Sequence, residues 1–382
     1  MKKTKIIFFI LFLGFFYPFQ SFSEIIKEKK TTDENSHFNA FLDYSMDLNS
    51  VVKNEIPSGT RFYENYLNLE VIGKANDKIS YRFTKQFIKQ IDTENYDILD
   101  LAYLKYKWND KLYFLFGKQP FSFGSMEYAS TGPYNNPYRY PHVYKYKENS
   151  VGFSFIYHPI KNHELQFQVL NEMKPQAENM IQEINYPMEY SLNWNWSLNT
   201  NNNHHDKILE NRWSYSIFQE NYKKKYWKLL ALGSQLNWKP ITIEASYILS
   251  DEDREKGRRV TQILQSLNHD YYDVSSLKYG TYLVKLKYNF IPKWNLIAKG
   301  VYERGTSKKG GINDILEENK LFRNTYAYYG GVEFIPFIKN EDLSFFLTYQ
   351  NYRVNYCLDK MKKENKNDHF FILGLNYHVK II

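Results

Sequence analysis

The sequence predicts an all-β chain: a transmembrane antiparallel β-barrel of about 16 strands, with one long loop folded back inside it. Three observations predict it. Segments of 9 to 16 residues alternate apolar and polar positions along most of the chain, the period-two pattern of strands. Connections between them are mostly short and long in turn, which places turns at one rim and loops at the other. Aromatic residues make up 18% of the chain, with 35 Tyr and 28 Phe, as suits strands whose rings sit at membrane interfaces.

The first residues give an address. Lys2, Lys3 and Lys5 precede the apolar run from Ile6 to Phe19, and Ser21-Phe22-Ser23 supplies a small-x-small cleavage site before Glu24. That pattern reads as a signal peptide over 1–23, cleaved on export, and its apolar run is short for a membrane span of about 20 residues. Residues 24–36 form a polar tail without periodicity, and 37–382 form the barrel. Beyond the leader no apolar run is long enough for a membrane helix, and mean hydropathy is -0.60. Cys357 stands alone, so no intramolecular disulfide forms. The formal charge of +8 includes the three leader lysines; the remainder is too mild to argue nucleic-acid binding.

Taken in order, the strands fall near 37–47, 60–73, 78–89, 97–108, 111–119, 149–158, 161–171 and 186–198. The second eight fall near 210–220, 226–238, 240–250, 276–290, 293–304, 322–335, 341–356 and 368–381. In the first, Leu42, Tyr44 and Met46 oppose Asp43, Ser45 and Asp47. In the third, Ile79, Tyr81 and Phe83 oppose Ser80, Arg82 and Thr84. In the last, Phe371, Leu373, Leu375 and Tyr377 oppose Asn376, His378 and Lys380. A β-sandwich would alternate too, with the apolar face inward. The connections favour the barrel, where the apolar face meets lipid and the polar face lines the lumen. Two connections break the rule, 199–209 being long and 221–225 short, which leaves the register between 186 and 250 open.

The hairpin at Asn109-Asp110 carries a conflict. A two-residue turn would put Leu104, Tyr106 and Trp108 on one face with Lys111, Tyr113 and Leu115. The more apolar set is Leu112, Phe114 and Phe116, and an odd-length turn or a bulge would bring those to the lipid side.

After this hairpin comes the loop from about 120 to 148, holding eight aromatics. A connection that long is usually functional or disordered, and its aromatic density argues against disorder. The segment DLAYLKYKWNDKLYFLFGKQPFSFGSMEY resembles the strand–turn–strand of the phosphate-selective porin O and P family. Ala102-Tyr103, Gly117-Lys118, Pro120-Phe121, Gly124 and Glu127 carry the likeness. The resemblance implies a homotrimeric sixteen-stranded channel in the outer membrane, narrowed by the loop after its fifth strand. The loop lacks the dense arginine and lysine run of a strongly phosphate-selective member, so the expectation is a passive channel for small hydrophilic solutes with mild anion preference.

Charge placement sharpens that expectation. By strand phase the basic lumen candidates are Arg82, Lys105, Lys107, Lys285, Lys287, Lys299 and Arg323. The acidic ones are Asp43, Asp47, Glu64, Glu70, Glu244, Glu303 and Glu333. Seven against seven gives the wall no decisive field, so the loop decides. There Lys118, Arg139, Lys145 and Lys147 face Glu127 and Glu148, and these four cations are the candidate anion contacts at the constriction. The loop tyrosines Tyr128, Tyr134, Tyr138, Tyr140, Tyr144 and Tyr146 have two readings: a stacking track for sugars, or packing of the loop against the wall. The alternatives are thus a sugar-conducting porin and a non-conducting adhesin or structural barrel.

Enzyme signatures are absent from the sequence. The run Asn201 to Asp206 reads as a polar turn, Ser154 and His163 lie in adjacent strands without an acyl-transfer motif, and neither glycine pair belongs to a phosphate-binding motif. No motif calls for a metal or cofactor.

Overall fold

The computed structural model describes residues 38–87, 99–129, 137–144, 149–171, 188–199, 207–219, 225–257, 259–261, 263, 275–309, 317–337, 343–357 and 364–382. They form β1 (Phe38–Lys53), β2 (Ile56–Asn76), β3 (Ile79–Gln86), β4 (Leu99–Lys107) and β5 (Leu112–Pro120). Two single-turn helices follow, α1 (Met126–Ala129) and α2 (Pro141–Tyr144). Then come β6 (Asn149–Tyr157), β7 (His163–Asn171), β8 (Met188–Asn199), β9 (Lys207–Gln219), β10 (Tyr226–Trp238) and β11 (Ile241–Arg254). The last five are β12 (Ser275–Ile291), β13 (Trp294–Ser307), β14 (Leu321–Phe334), β15 (Leu343–Tyr356) and β16 (Lys366–Lys380). Every strand pairs antiparallel with its neighbour in sequence, and β1 closes on β16. Closure leaves no edge whose N–H and C=O groups would go unpaired in lipid.

Register is continuous through the stretch that the sequence left open. β8, β9, β10 and β11 pair without interruption apart from one shift at Leu198/Asn199. The long connection expected at 199–209 contracts because β8 and β9 both run further. The polar turn at 201–206 lies outside the described residues.

Two hairpins explain where strand ends were misjudged or well judged. The sequence places a loop after 47, yet β1 and β2 continue to Asn54-Glu55, whose φ angles of 45° and 69° suit a type I′ turn. Residues 56–64 are exposed one after another, so no burial selects an alternating pattern there. At the β4–β5 turn, Tyr106 pairs with Phe114 and Leu104 with Phe116, while Trp108 N–H donates to the Leu112 carbonyl at 3.0 Å. Three residues, Asn109 to Lys111, therefore make the turn. This is the odd-length solution that brings Leu104, Trp108, Phe114 and Phe116 to the same face.

That face is the outer one. Phe116, Leu192, Val284, Leu347 and Leu373 are all exposed on it. Leu375 shares the face of Leu373 but sits buried between its cross-strand neighbours Met46 and Phe345. The opposite face carries Ser45, Asn68, Ser154, Gln168, Asn193 and Asn376, all buried inside the barrel. One assignment needs correcting. A bulge between Ser45 and Met46 inserts Asn65, so Glu64 pairs with Met46 and shares the outer face, while Tyr66 and Glu70 keep the lumen.

The inner face is not uniform. From β9 round to β14 it presents Phe218, Trp227, Leu229, Ala231, Ile248, Leu283, Ile297, Val301, Ala327 and Tyr329. These belong to one apolar cluster with residues of the loop after β5. Among the described residues a large apolar core therefore lies within the barrel, and the loop completes it.

Candidate functional site

The loop leaves β5 through a backbone that only glycine tolerates. Gly117 has φ +117°, and a Cβ there would lie 2.3 Å from the Ala102 carbonyl oxygen of the paired strand. From Phe121 the loop runs along the inner wall and is held at successive strands. Ser122 N–H donates to Gln168 Oε1 on β7 at 2.9 Å, and Ser191 Oγ on β8 donates to the Ser122 carbonyl at 3.2 Å. Gly124 N–H reaches Ser214 Oγ on β9 at 2.6 Å, Ser125 N–H reaches the Arg212 carbonyl at 2.9 Å, and Met126 N–H reaches Ser246 Oγ on β11 at 3.1 Å. Gly233 on β10 makes room for this approach, since a Cβ there would meet the Met126 nitrogen at 2.5 Å.

Beyond α1 the loop is fixed by charge. Lys299 on β13 points inward, its side chain 1% exposed, and its ammonium donates to both Glu127 oxygens at 2.8 and 2.6 Å. The same ammonium donates to the Tyr138 carbonyl at 2.6 Å. Glu127 in turn accepts from Tyr140 N–H at 2.5 Å. One buried ion pair thus fastens both limbs of the loop to one strand. Breaking such a pair by removing one partner is costly because the other charge stays buried. Farther on, Tyr329 Oη on β14 donates to the Arg139 carbonyl at 3.2 Å, and Gln350 on β15 donates to the Pro137 carbonyl.

Apolar packing supports the polar fastenings. Phe121, Phe123, Tyr128, Tyr138, Tyr140 and Val143 each have at most 4% exposure within the wall cluster. Burying a side chain of this size contributes about 1.5–3 kcal/mol. Burial also pushes the Tyr128 and Tyr140 hydroxyls well above the usual phenol range, so both remain neutral; Tyr128 Oη donates to the Val143 carbonyl at 3.1 Å. The described tyrosines pack the loop against the wall and do not form a track for sugars. Tyr134 and Tyr146, and the side chain of Tyr144, lie outside the described residues.

The sequence-derived site residues divide into groups. Arg139 is brought inside with the loop and is buried to 8% exposure. Lys145, Lys147 and Glu148 lie outside the described residues. Lys118 is a correction: it pairs with Ala102 and Val151 on the face of Phe114 and Phe116, and its ammonium donates to the Leu99 carbonyl at 2.6 Å. The turn that turns Phe114 and Phe116 outward carries Lys118 with them, and Gln119 takes the lumen position.

The wall cations face inward, and most of them meet a carboxylate. Arg82 pairs with Glu70, Lys285 with Glu244 at 2.9 Å, Lys287 with Glu333 at 3.1 Å, and Arg323 with Glu303. Lys105 is buried with its ammonium 4.5 Å from the Tyr113 ring centre, and Lys107 meets Asp110 at 2.6 Å by the turn. Ser154 and His163 do not meet: Ser154 is buried in the lumen against Gln119, whereas His163 stacks with Trp196 and accepts from Trp194 Nε1 at 3.2 Å on the outer face. Among the described residues no group of His, Cys, Asp and Glu could hold a metal ion, and no helix is long and apolar enough to cross a membrane.

Sequence reasoning missed residues that the fold brings to the loop. Arg212 on β9 lies beneath it, its Nη2 3.4 Å from the Phe123 carbonyl. Part of the connection after β11, at 255–257 and 259–261, also turns inward and touches α2. Its sequence, rich in Glu, Lys and Arg, reads as a solvated loop, and only contacts distant in the chain reveal it.

With this geometry in view, comparison with known proteins is decisive. The sequence matches the family described as phosphate-selective porin O and P over residues 38–378, nearly the whole described barrel. The chain belongs to the phosphate-selective porin O and P family. It is an outer-membrane porin, a diffusion channel. Solved structures share the architecture at low identity. OmpF of Salmonella typhi, solved in complex with daunomycin, aligns with TM-score 0.60 and 10% identity, covering 90% of this chain and 97% of that one. The anion-selective porin of Comamonas acidovorans aligns with TM-score 0.55 and 8% identity, covering 89% and 99%. OmpT of Vibrio cholerae, in its trimer form, aligns with TM-score 0.56 and 11% identity, covering 90% and 100%. At such identities the likeness is one of fold. No curated protein matches the chain in sequence.

Proposed function

We propose that this porin passes small hydrophilic solutes through a neck made by the loop after β5, and that the loop's own cations give the neck its preference for anions. The observation that carries the reading is the seating of residues 121–129 and 137–143 inside the lumen, fastened by Lys299 to Glu127 and Tyr138. The loop contacts run from β7 to β15, so the passage lies between it and the arc from β16 through β1 to β6. Wall charges contribute little there. In about 0.15 M salt fields decay over roughly 8 Å, and a carboxylate and cation in contact largely cancel at that range. Arg139, Lys145 and Lys147 then set the sign of the field at the narrowest point. Small inorganic anions, phosphate among them, are the expected solutes.

The same reading carries the remaining sequence expectations. Residues 1–23 are a cleaved export signal, 24–36 a polar tail, and the chain assembles as a homotrimer in the bilayer, as the related fold of OmpT does in its trimer form. Amino-terminal sequencing of the purified outer-membrane protein should begin at Glu24, and cross-linking should trap trimers.

The charge assignment is tested in planar bilayers under a salt gradient. Replacing Arg139, Lys145 and Lys147 together by Gln should move the zero-current potential toward cation preference while the barrel still folds. An unmoved potential would remove these residues from the selectivity mechanism.

A further inference from the structure

The loop after β5 is not the only segment turned into the barrel. After β11 the chain folds on a single carboxylate. Glu255 accepts from the backbone N–H groups of Arg259 at 3.0 Å, Val260 at 3.0 and 3.1 Å, and Thr261 at 2.8 Å. It also accepts from Thr261 Oγ1 at 2.9 Å and from Tyr279 Oη on β12 at 2.6 Å. A carboxylate that gathers this many donors fixes the turn around it, and Val260 and Thr261 are fully buried as a result. The root of the turn is held as well, since Lys256 N–H donates to Glu252 Oε2 at 2.8 Å and Glu252 accepts from Ser250 Oγ at 2.6 Å.

What this turn presents is Arg259. Its guanidinium lies 3.9 Å from the Tyr279 ring centre, and one nitrogen, Nη1, reaches two elements at once. It donates to Glu303 Oε1 on β13 at 2.8 Å and to His142 Nδ1 on α2 at 2.8 Å. A guanidinium only donates, so Nδ1 accepts and the neutral ring carries its proton on Nε2, where it meets Tyr352 Oη on β15. His142 also stacks on Tyr352, with ring centres 5.4 Å apart and planes within 5°. The chain of contacts therefore runs from the turn after β11, through Arg259, to the far limb of the inward loop and on to the wall.

We propose that Arg259 is a positioning residue for the constriction: the turn formed by residues 255–257 and 259–261 is a second inward strap, and Arg259 holds the α2 limb of the loop against β13 and β15. The proposal rests on the reading of the loop as the pore's neck. Its logic is that Lys299, Glu127, Tyr329 and Gln350 fasten the backbone of this limb as far as Tyr140, whereas Arg259 reaches a side chain of α2 itself. Arg259 adds a charged contact at His142, beyond the backbone fastenings, and so sets the orientation of α2. Glu303 does not depend on it for charge, because Arg323 contacts the same carboxylate and Thr281 Oγ1 donates to its other oxygen at 3.2 Å. Loss of Arg259 thus loosens α2 at His142 without stranding a buried anion.

The experiment uses the full mature chain in planar bilayers, comparing native protein, Arg259→Gln, Arg259→Lys, a deletion of residues 131–144, and the deletion combined with Arg259→Gln. Arg259→Gln should raise open-state current noise and give a conductance between those of native and deleted channels. Arg259→Lys should restore part of the native behaviour, because an ammonium can still bridge Glu303 and His142. On the deleted background Arg259→Gln should add nothing, since the limb it holds is gone. Equal increments with and without the loop would overturn the proposal, showing that Arg259 acts on the pore directly or through the barrel. A native-like Arg259→Gln channel, with the deletion still raising conductance, would overturn it while leaving the neck intact. Should the deletion itself leave conductance unchanged, the neck and the strap would both fall.

Discussion

Two arcs of the same wall have opposite inner faces. From β16 through β1 to β3 the lumen side carries Asn376, Ser45, Asp47, Asn68, Glu70, Arg82 and Thr84. From β9 to β14 it carries Phe218, Trp227, Leu229, Ala231, Leu283, Ile297 and Val301. A polar lumen lining, its side chains bonded to one another, explains the first arc and not the second. The difference teaches that an apolar inner face in a barrel marks where something other than water lies against it. Here that something is the loop after β5, through its described residues 121–129 and 137–143.

The contrast can be broken first at its charged fastening. Lys299→Met leaves Glu127 buried without its cation, and removing one partner of a buried pair costs about 3–5 kcal/mol. The barrel has its own ladder of strand pairs, so the cost should appear as an unseated loop rather than an unfolded protein. Single-channel recordings should show a larger, noisier current, and limited proteolysis should cut between α1 and α2. A quiet, native-sized channel from this variant would show that apolar packing alone seats the loop.

A second set of substitutions compares the faces directly. In the polar arc only the outer side should refuse charge: Leu373→Arg should cost about 2–4 kcal/mol if near the bilayer midplane, whereas Asn376→Arg should fold normally. Within the apolar cluster beneath the loop both sides should refuse it. Leu230→Arg meets lipid, and Leu229→Arg places a cation beneath the loop, so urea titrations in lipid vesicles should show a loss for the former and channel recordings a displaced loop for the latter. Equal tolerance of Asn376→Arg and Leu229→Arg would erase the distinction between arcs.

The smallest effect concerns Arg139 alone. Arg139→Gln should shift the zero-current potential toward cations by less than the triple replacement with Lys145 and Lys147. A shift as large as the triple one would concentrate selectivity at a single residue.

Much of this fold could be read from the chain because lipid and water select opposite residues at successive positions. Leu373 and Asn376 were assignable that way, and so was the odd-length β4–β5 turn. Where both faces are apolar, alternation fails. The run Trp227-Lys228-Leu229-Leu230-Ala231-Leu232 meets lipid on one side and the loop on the other, which is why β8 to β11 were hardest to place in register. Where both faces meet water it fails as well, as in the β1–β2 hairpin. Lys118 shows a different failure: its charge suggested the pore, but strand phase fixed by Phe114 and Phe116 overrode the charge. Arg259 was invisible for a third reason, because its partners Glu303 and His142 lie far away in the chain and only the closed barrel brings them together.

The central claim is that the loop seated on the apolar arc narrows the passage. Single-channel conductance of the chain lacking residues 131–144, refolded and compared with the native porin under identical salt, tests it most directly. The account predicts a folded barrel with a clearly larger conductance and a weaker anion preference. A folded barrel whose conductance and selectivity match the native channel would contradict it.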